Sequence, residues 1–367
     1  MIASSETDAN LYYATRFLAP DKFAFLQIRG KKYLLMSDVE VDRARTQACV
    51  HQIVSLSSLR TAYKRKYKKK PNFLDLVEAF LKQKRVKSLS VPANFPVQYA
   101  DPLRKRGFQI AFKRDPFFED RTIKTNPEIR AIQKALRATE AAFAQAIRAI
   151  RRSTIKKGRL YLDGQLLTSE VVKKIINVKL MEDGLVAQHT IVSCAKDTVD
   201  PHNEGSGPLY AHKPIIMDIF PRDSQSRYFA DFTRTVVRGR ASTKVKKMYA
   251  AVQEGQEIAF RMIRHGTDAA KIHTAIQKHF EKLGFKTGLI RGRIQGFFHG
   301  TGHGLGLDIH EPPRISPKGG ILKSGNIVTV EPALYYEDAG GVRLEDVVVV
   351  TKTGCKNLTR APKVLEI

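Results

Sequence analysis

Five side chains between positions 218 and 345 have the types and settings of metal ligands. They are Asp218 in KPIIMDIFPR, Asp231 in YFADFTRTVV, His303 in HGTGHGLGLDIHEPP, Glu331 in IVTVEPALYY and Glu345 in GVRLEDVVVV. Taken singly, a strand carboxylate is more often solvated and a histidine more often structural. The surroundings shift that balance, because apolar runs such as PIIM, IVTV and VVVV mark buried strands, where an acid must be paired, protonated or metal-bound. Four carboxylates carry four negative charges, a ligating imidazole is neutral, and two divalent cations would balance the set. Oxygen-rich ligands with one nitrogen favour harder metals such as manganese, iron or cobalt over a thiolate-type zinc centre.

Strand periodicity says how such residues could meet. Alternate side chains share a face, so Arg343 and Glu345 point the same way in a final hairpin turned at Gly340 and Gly341, and Glu331 faces them from the partner strand. The segment PRDSQSR joins Asp218 to Asp231 in a second expected hairpin, with both carboxylates on one face. His299, His303 and His310 cluster in a glycine-rich stretch, FFHGTGHGLGLDIHEPP, where glycines let backbone approach a site closely.

The elements that must hold these residues alternate between strand and helix patterns. NLYYATRFL, KFAFLQIRG and KKYLLMS read as strands, DVEVDRARTQA and FLDLVEAFLKQ as helices, and VKSLSVPANF and GFQIAFKRDPFF as further strands, giving a small α/β domain over residues 1–121. A second domain, 122–367, opens on a long amphipathic helix. Thr125 or Asn126 can cap it, Pro127 suits its first position, and Ile129, Ile132, Leu136, Phe143, Ile147 and Ile150 form its apolar face. TSEVVKKIINVKLMEDG reads as a helix stopped at Gly184, and two more helices precede the strand-rich C-terminal part.

The whole chain bounds the answer. Its 367 residues, 43% of them hydrophobic, suffice for a large core. MIASSETDAN lacks the character of a secretory signal, and no apolar run approaches the ~20 residues of a membrane span. The expectation is therefore a soluble protein that meets no membrane. Cys49, Cys194 and Cys355 are too scattered for a disulfide framework or a zinc knuckle, which fits a reducing cytoplasm. The net charge of +27 favours anionic partners. Residues 1–125 carry 25 basic and 12 acidic side chains, with the sharpest cluster at Lys64, Arg65, Lys66, Lys68, Lys69 and Lys70. Without a nucleic-acid motif beside it, that run reads as a solvated loop rather than a nucleic-acid foothold.

HGTGHGLGLDIHEPP, VEPALYY and GVRLEDVVVVTKTG, preceded by the two-aspartate segment ending DFTRTVV, resemble the pita-bread metallopeptidases: methionine aminopeptidase, Xaa-Pro aminopeptidase, prolidase and the metal-free relative creatinase. The resemblance covers about residues 122–362. NLYYATRFL with KKYLLMSDVE also resembles the amino-terminal domain of creatinase, prolidase and Xaa-Pro aminopeptidase, which tilts the assignment to the proline-linked branch. The fold implied is α/β (α+β), a creatinase/prolidase-like domain over 1–121 followed by a pita-bread catalytic domain over 122–367.

The resemblance also implies roles. Asp218 would bind one metal ion, Asp231 and Glu345 would bridge two, and His303 and Glu331 would complete the set. The cofactors would be two divalent ions, manganese first, with cobalt, iron or zinc as alternatives, lowering the pKa of a shared water enough to supply hydroxide near neutral pH. Glu331 would accept its proton, His310 would steady the tetrahedral intermediate, and His202 in DPHNEGSGPL would approach the substrate from the opposite side. His299 and Arg343 would line the site. One departure stands out: family members commonly have a glycine two positions after the first aspartate and eleven positions between the two. Here Ile219 and Phe220 follow Asp218, and the aspartates are 13 apart. The change is even, so it leaves both side chains on one face.

The expected activity is a dinuclear-metal exopeptidase on the amino-terminal bond of Xaa-Pro peptides, in a homodimer. A catalytically silent relative that binds nucleic acid or protein through its basic surface is the alternative. Retention of all five ligand types with His202 and His310 argues against it, and against creatinase-like chemistry.

Overall fold

Short apolar runs broken by polar turns fold, in the computed structural model of residues 1–367, into two units, Met1–Arg121 and Thr122–Ile367. The first contains β1 (Ile2–Ala3), α1 (Ala9–Thr15), β2 (Phe23–Ile28), β3 (Lys31–Met36), α2 (Asp38–Gln47), β4 (Gln52–Ser55) and α3 (Leu56–Tyr67). It continues with α4 (Phe73–Gln83), β5 (Ser88–Pro92), α5 (Val97–Lys105) and β6 (Gln109–Lys113). β1–β4 form one sheet in sequence order, and β5 pairs with β6 in parallel. The β2–β3 hairpin turns on Arg29 and Gly30, both at positive φ, the geometry whose twist matches that of the flanking strands.

Two expectations for this unit are corrected. NLYYATRFL is not a strand: Ala9–Thr15 is helical, capped by the Asp8 carboxylate, which accepts the Leu11 amide at 2.7 Å. Its buried residues, Asn10, Leu11, Ala14 and Thr15, follow helical rather than alternating spacing. The basic cluster is not simply a loop either. Lys64, Arg65 and Lys66 form the last turn of α3, where cations suit the negative end of the helix dipole, and Lys68 ends it in the left-handed conformation.

The second unit opens with α6 (Asn126–Arg152), fixed by a reciprocal capping box between Thr125 and Glu128 with Pro127 in the first turn. All of its expected apolar stripe is buried except Ile129, which is half-buried. β7 (Thr154–Lys156), β8 (Arg159–Leu162) and β9 (Gln165–Leu166) form a small meander, followed by α7 (Ser169–Glu182) and β10 (Leu185–Val186). β11 (Ile191–Cys194), β12 (Pro214–Ile219) and β14 (Phe232–Val237) make an antiparallel sheet with β12 central, while β13 (Arg222–Asp223) pairs with β10. Next come α8 (Thr243–Met262), α9 (Ala269–Lys282), β15 (Gly288–Ile290) and β16 (Arg293–Gln295). The chain finishes with β17 (Gly302–Gly304), β18 (Glu311–Ile315), β19 (Ile327–Val330), β20 (Ala333–Tyr336), β21 (Gly340–Arg343), β22 (Asp346–Val350) and β23 (Cys355–Asn357).

The expected final hairpin proves to be two. β19 pairs with β22 in a five-stranded sheet, whereas β20 pairs with β21 in a separate ribbon turned at Glu337–Ala339 rather than at the two glycines. The two strands change partners together, at Glu331 and Glu345. Leaving a ladder strands backbone carbonyls, and an orphaned buried carbonyl is costly. Gln256 of α8 satisfies two of them, its Nε2 donating to Val330 O at 2.8 Å and Leu344 O at 3.1 Å. Arg234 does the same for Glu345 O at 2.7 Å.

Replacing Gln256 by Leu therefore leaves two buried carbonyls without a donor and is expected to cost about 2–4 kcal/mol in urea unfolding. The exposed neighbour Gln253→Leu should stay within about 0.5 kcal/mol of the parent. Equal effects of the two would show that Gln256 does not hold the break.

Candidate metal centre

Thr233 is the residue around which the site assembles. It lies opposite Asp218 in the β12–β14 ladder, and Asp231 stands two residues before it, so Asp218, Thr233 and Asp231 share one face. The Thr233 carbonyl accepts the Glu345 amide at 3.0 Å, bringing the second break of the double hairpin against β14. Its hydroxyl donates to Glu345 Oε2 at 2.8 Å and accepts from Arg343 Nε at 3.2 Å. On the other side, the Glu331 amide donates to Thr301 O at 2.7 Å and the His303 amide to Thr329 Oγ1 at 3.1 Å. A strand break and a register shift thus carry Glu331 and His303 to the same place as the two aspartates.

The resulting donor set is tight. Asp231, His303 and Glu345 each present one ligand atom, all within 4.8 Å of one another. His303 Nε2 lies 3.6 Å from Asp231 Oδ2 and 3.6 Å from Glu331 Oε1. Because His303 Nδ1 faces the Gly304 carbonyl at 3.1 Å, that nitrogen carries the proton and Nε2 offers its lone pair to the carboxylates. Burial, with the charges of His310 and Arg314, pushes His303 down to about 3, so it is neutral at physiological pH. Lone pair and carboxylate oxygens face one another with no donor between them, an arrangement that a divalent cation relieves.

The acids report the same strain. Burial raises Asp231 far above the carboxylate range, reinforced by Glu345, Asp218 and Glu331. Glu345 is raised likewise, first by burial and then by Glu331 and Asp218. Glu331 is pushed up to about 7, again chiefly by burial. Asp218 gives one oxygen to Arg343 Nη2 at 2.7 Å, while its other oxygen is buried with no hydrogen-bond partner. An orphaned buried carboxylate oxygen beside three converging ligand atoms, in an oxygen-rich set with one imidazole, fits divalent cations of the harder kind.

Around the donors lies a second group. The Arg343 guanidinium, almost fully buried, donates to Asp218, Thr233, the Pro201 carbonyl at 3.3 Å and Tyr335 Oη at 2.8 Å. Tyr335 in turn faces His299 Nε2 at 3.1 Å, while His299 Nδ1 donates to Gly300 O at 2.7 Å. Burial and Arg343 push His299 down to about 4. His310 sits edge-on to His303, ring centroids 4.3 Å apart. His202 is exposed on the loop after β11, near enough that its charge disfavours protonation of both His299 and His310. All nine residues singled out in the sequence therefore fall in or around one place. Thr233, Tyr335 and Gln256 were not singled out, although Thr233 is two positions from Asp231 on the same strand face and Tyr335 stands in the quoted VEPALYY.

The longer stretch between the aspartates keeps both on one face. Its extra length is folded: Asp223 Oδ1 accepts the Gln225 and Ser226 amides at 3.1 and 2.6 Å, and the Phe229 amide donates to Gly306 O at 2.9 Å, so this loop lies against the glycine-rich histidine segment.

The metal-free protein should carry a signature of this crowding. Carboxylates whose folded pKa values exceed the unfolded ones hold protons that unfolding releases, so stability falls as pH rises through those folded values. Lowered histidines act oppositely, but only below their unfolded value near 6.5. Between pH 6.5 and 8 the buried Met1 amine, pushed down to about 5, opposes Glu331, Asp231 and Glu345, so their effect is read as a difference: chelator-treated parent should lose more melting temperature over this window than the Asp231→Asn/Glu331→Gln/Glu345→Gln variant. Added manganese should raise that of the parent more at pH 8 than at pH 6.5. A metal-free parent that loses no more stability than that variant over this window would contradict the assignment.

Residues 130–352 match metallopeptidase family M24. A Xaa-Pro dipeptidase from Pyrococcus horikoshii is 29% identical over 304 residues, 82% of this chain and 79% of the relative. The fold is that of the pita-bread enzymes. An X-Pro aminopeptidase from Thermotoga maritima superposes with a TM-score of 0.82 at 21% identity, covering 100% of this chain and 97% of that one. The prolidase from Pyrococcus horikoshii OT3 does so at 0.78 and 24%, covering 97% and 92%. The sequence match spans well over half of the chain and takes in every candidate ligand, which makes this protein a member of metallopeptidase family M24.

Proposed function

We propose that this metallopeptidase is a dinuclear-metal exopeptidase that hydrolyses the amino-terminal bond of Xaa-Pro peptides. The observation that carries the metal centre is the convergence of Asp231, His303 and Glu345 beside the unpartnered oxygen of Asp218. The substrate class rests on the Xaa-Pro dipeptidase to which 82% of the chain is similar. Asp218, Asp231, His303, Glu331 and Glu345 are the residues that would hold the ions. Two divalent ions held there, manganese being our choice for so oxygen-rich a site, would polarise the scissile carbonyl and acidify the water that attacks it.

The chain's own groups do the rest. Glu331 takes the proton of the attacking water. His310, fixed edge-on to His303, donates a hydrogen bond to the tetrahedral oxygen, and His202 closes on the substrate from the exposed side. Arg343 and His299, tied together through Tyr335, line the cleft and orient the peptide. Residues 1–121 form the creatinase/prolidase-like domain, and the protein works as a cytoplasmic homodimer.

The test is a panel of dipeptides and tripeptides, with and without proline in the second position, assayed with added manganese or cobalt. Cleavage confined to Xaa-Pro bonds supports the reading. Indifference to proline, or no cleavage of any peptide, defeats it. Glu331→Gln should lower kcat by three orders of magnitude or more while the fold persists. Asp231→Ala and Glu345→Ala should instead purify with less metal, read by elemental analysis.

A further inference from the structure

The turn that delivers His310 is held by two residues with no role in the chemistry above. Between His303 and Glu311 the chain leaves β17 after Gly304, loops through residues 305–310 and enters β18, with a register shift between His303 and Gly304. Few of the loop's amides can find partners in a sheet. Glu311 supplies them: its Oε1 accepts the Leu307 amide at 2.9 Å and the Asp308 amide at 3.1 Å. Its Oε2 accepts Lys124 Nζ at 2.7 Å. Both side chains of this pair are almost wholly buried, 4% exposed for Glu311 and 2% for Lys124.

The carboxylate is pressed against the loop: a Cβ on Gly306 would lie 2.6 Å from Glu311 Oε2, so a larger residue there would have to displace it. Gly306 also donates to Asp308 O at 3.1 Å and accepts from the Phe229 amide, which ties the turn to the extended loop between the two aspartates. Lys124 is itself fixed, its backbone amide donating to Gly325 O at 2.8 Å just ahead of α6. His310 is the residue immediately before this staple, and its ring stands perpendicular to that of His303.

We infer that Glu311, neutralised by Lys124, is a positioning residue that sets the His310 ring over the reacting carbonyl. A buried carboxylate without a counter-charge would protonate, weakening its bonds to both amides, or turn toward solvent and lose them. With Lys124 beside it the carboxylate holds both amides by charge-assisted bonds, which are about twice as strong as neutral ones and more demanding in geometry. The inference rests on the reading of His310 as the group that contacts the substrate.

The test uses the manganese-loaded full chain on an Xaa-Pro tripeptide. The double variant Lys124→Met/Glu311→Gln removes the charges together and keeps a neutral acceptor for the amides, so it is expected to fold and to retain its manganese. Its kcat should fall at least tenfold with KM within threefold, whereas Lys124→Arg, which keeps the pair, should retain most of the activity. Adding His310→Ala to the double variant should cost nothing beyond His310→Ala alone. Multiplicative losses, or a double variant as active as the parent, would overturn the inference. Should that variant not fold, Glu311→Asp keeps the charge but draws the acceptor back from the amides, and the same non-additivity is read from it.

A second measurement needs no turnover. In metal-free protein labelled with 15N-histidine, the His310 ring should give one sharp set of cross-peaks in the parent and broadened or doubled peaks in the variant, with those of His299 unchanged. Unaltered His310 peaks would sink the staple even if activity fell. A parent that cleaves no peptide defeats the hydrolase reading instead, and the spectra still decide whether Glu311 fixes the ring.

Discussion

Four carboxylates and an imidazole lone pair crowded into an apolar interior repel one another, and the second unit is built to hold them there. The cost appears in the metal-free chemistry: Asp231 and Glu345 driven far above the carboxylate range, Glu331 near 7, His303 kept neutral. A protein can sustain such a cluster only if cations repay the desolvation and if rigid surroundings stop the side chains from turning away. The partnerless oxygen of Asp218 is the clearest local sign of that tension.

Rigidity comes from backbone placement rather than from side-chain length. Asp218 is central in its sheet, and Glu345 and His303 are each tied to a neighbouring strand through backbone amides. Glu331 and Glu345 sit where two strands change partners together, which frees their side chains from a pleated face and aims them inward. That change would strand carbonyls, and Gln256 and Arg234 take them up. Arg343 serves both roles, neutralising Asp218 and joining Tyr335, and through it His299, to the centre. The structural and chemical parts of the site are therefore one hydrogen-bonded network, in which Thr233 touches three members.

Much of this was legible beforehand. Buried strands announce themselves by runs such as IVTV and VVVV, and a carboxylate in such a run demands a partner. The long helix from Asn126 was readable from its capping residues and apolar stripe. The tyrosines and leucine of Ala9–Thr15 look strand-like over so short a window, while the deciding bond, from the Leu11 amide to Asp8, is a helix-capping signal. The split of the final hairpin into two is not legible in the sequence, because periodicity reports which residues alternate and is silent on which strand lies alongside.

By itself the amino-acid sequence determined the residue types of the centre, the branch of chemistry they suit and the strands and helices that carry them, since these follow from local pattern and from the cost of burying charge. Tertiary structure alone decided which atoms face one another. The pairing of Asp218 with Arg343 and the buried Lys124–Glu311 bond join residues 125 and 187 positions apart, and the tautomer of His303 depends on a single carbonyl's direction. No periodicity encodes them, because they arise only when separate elements pack.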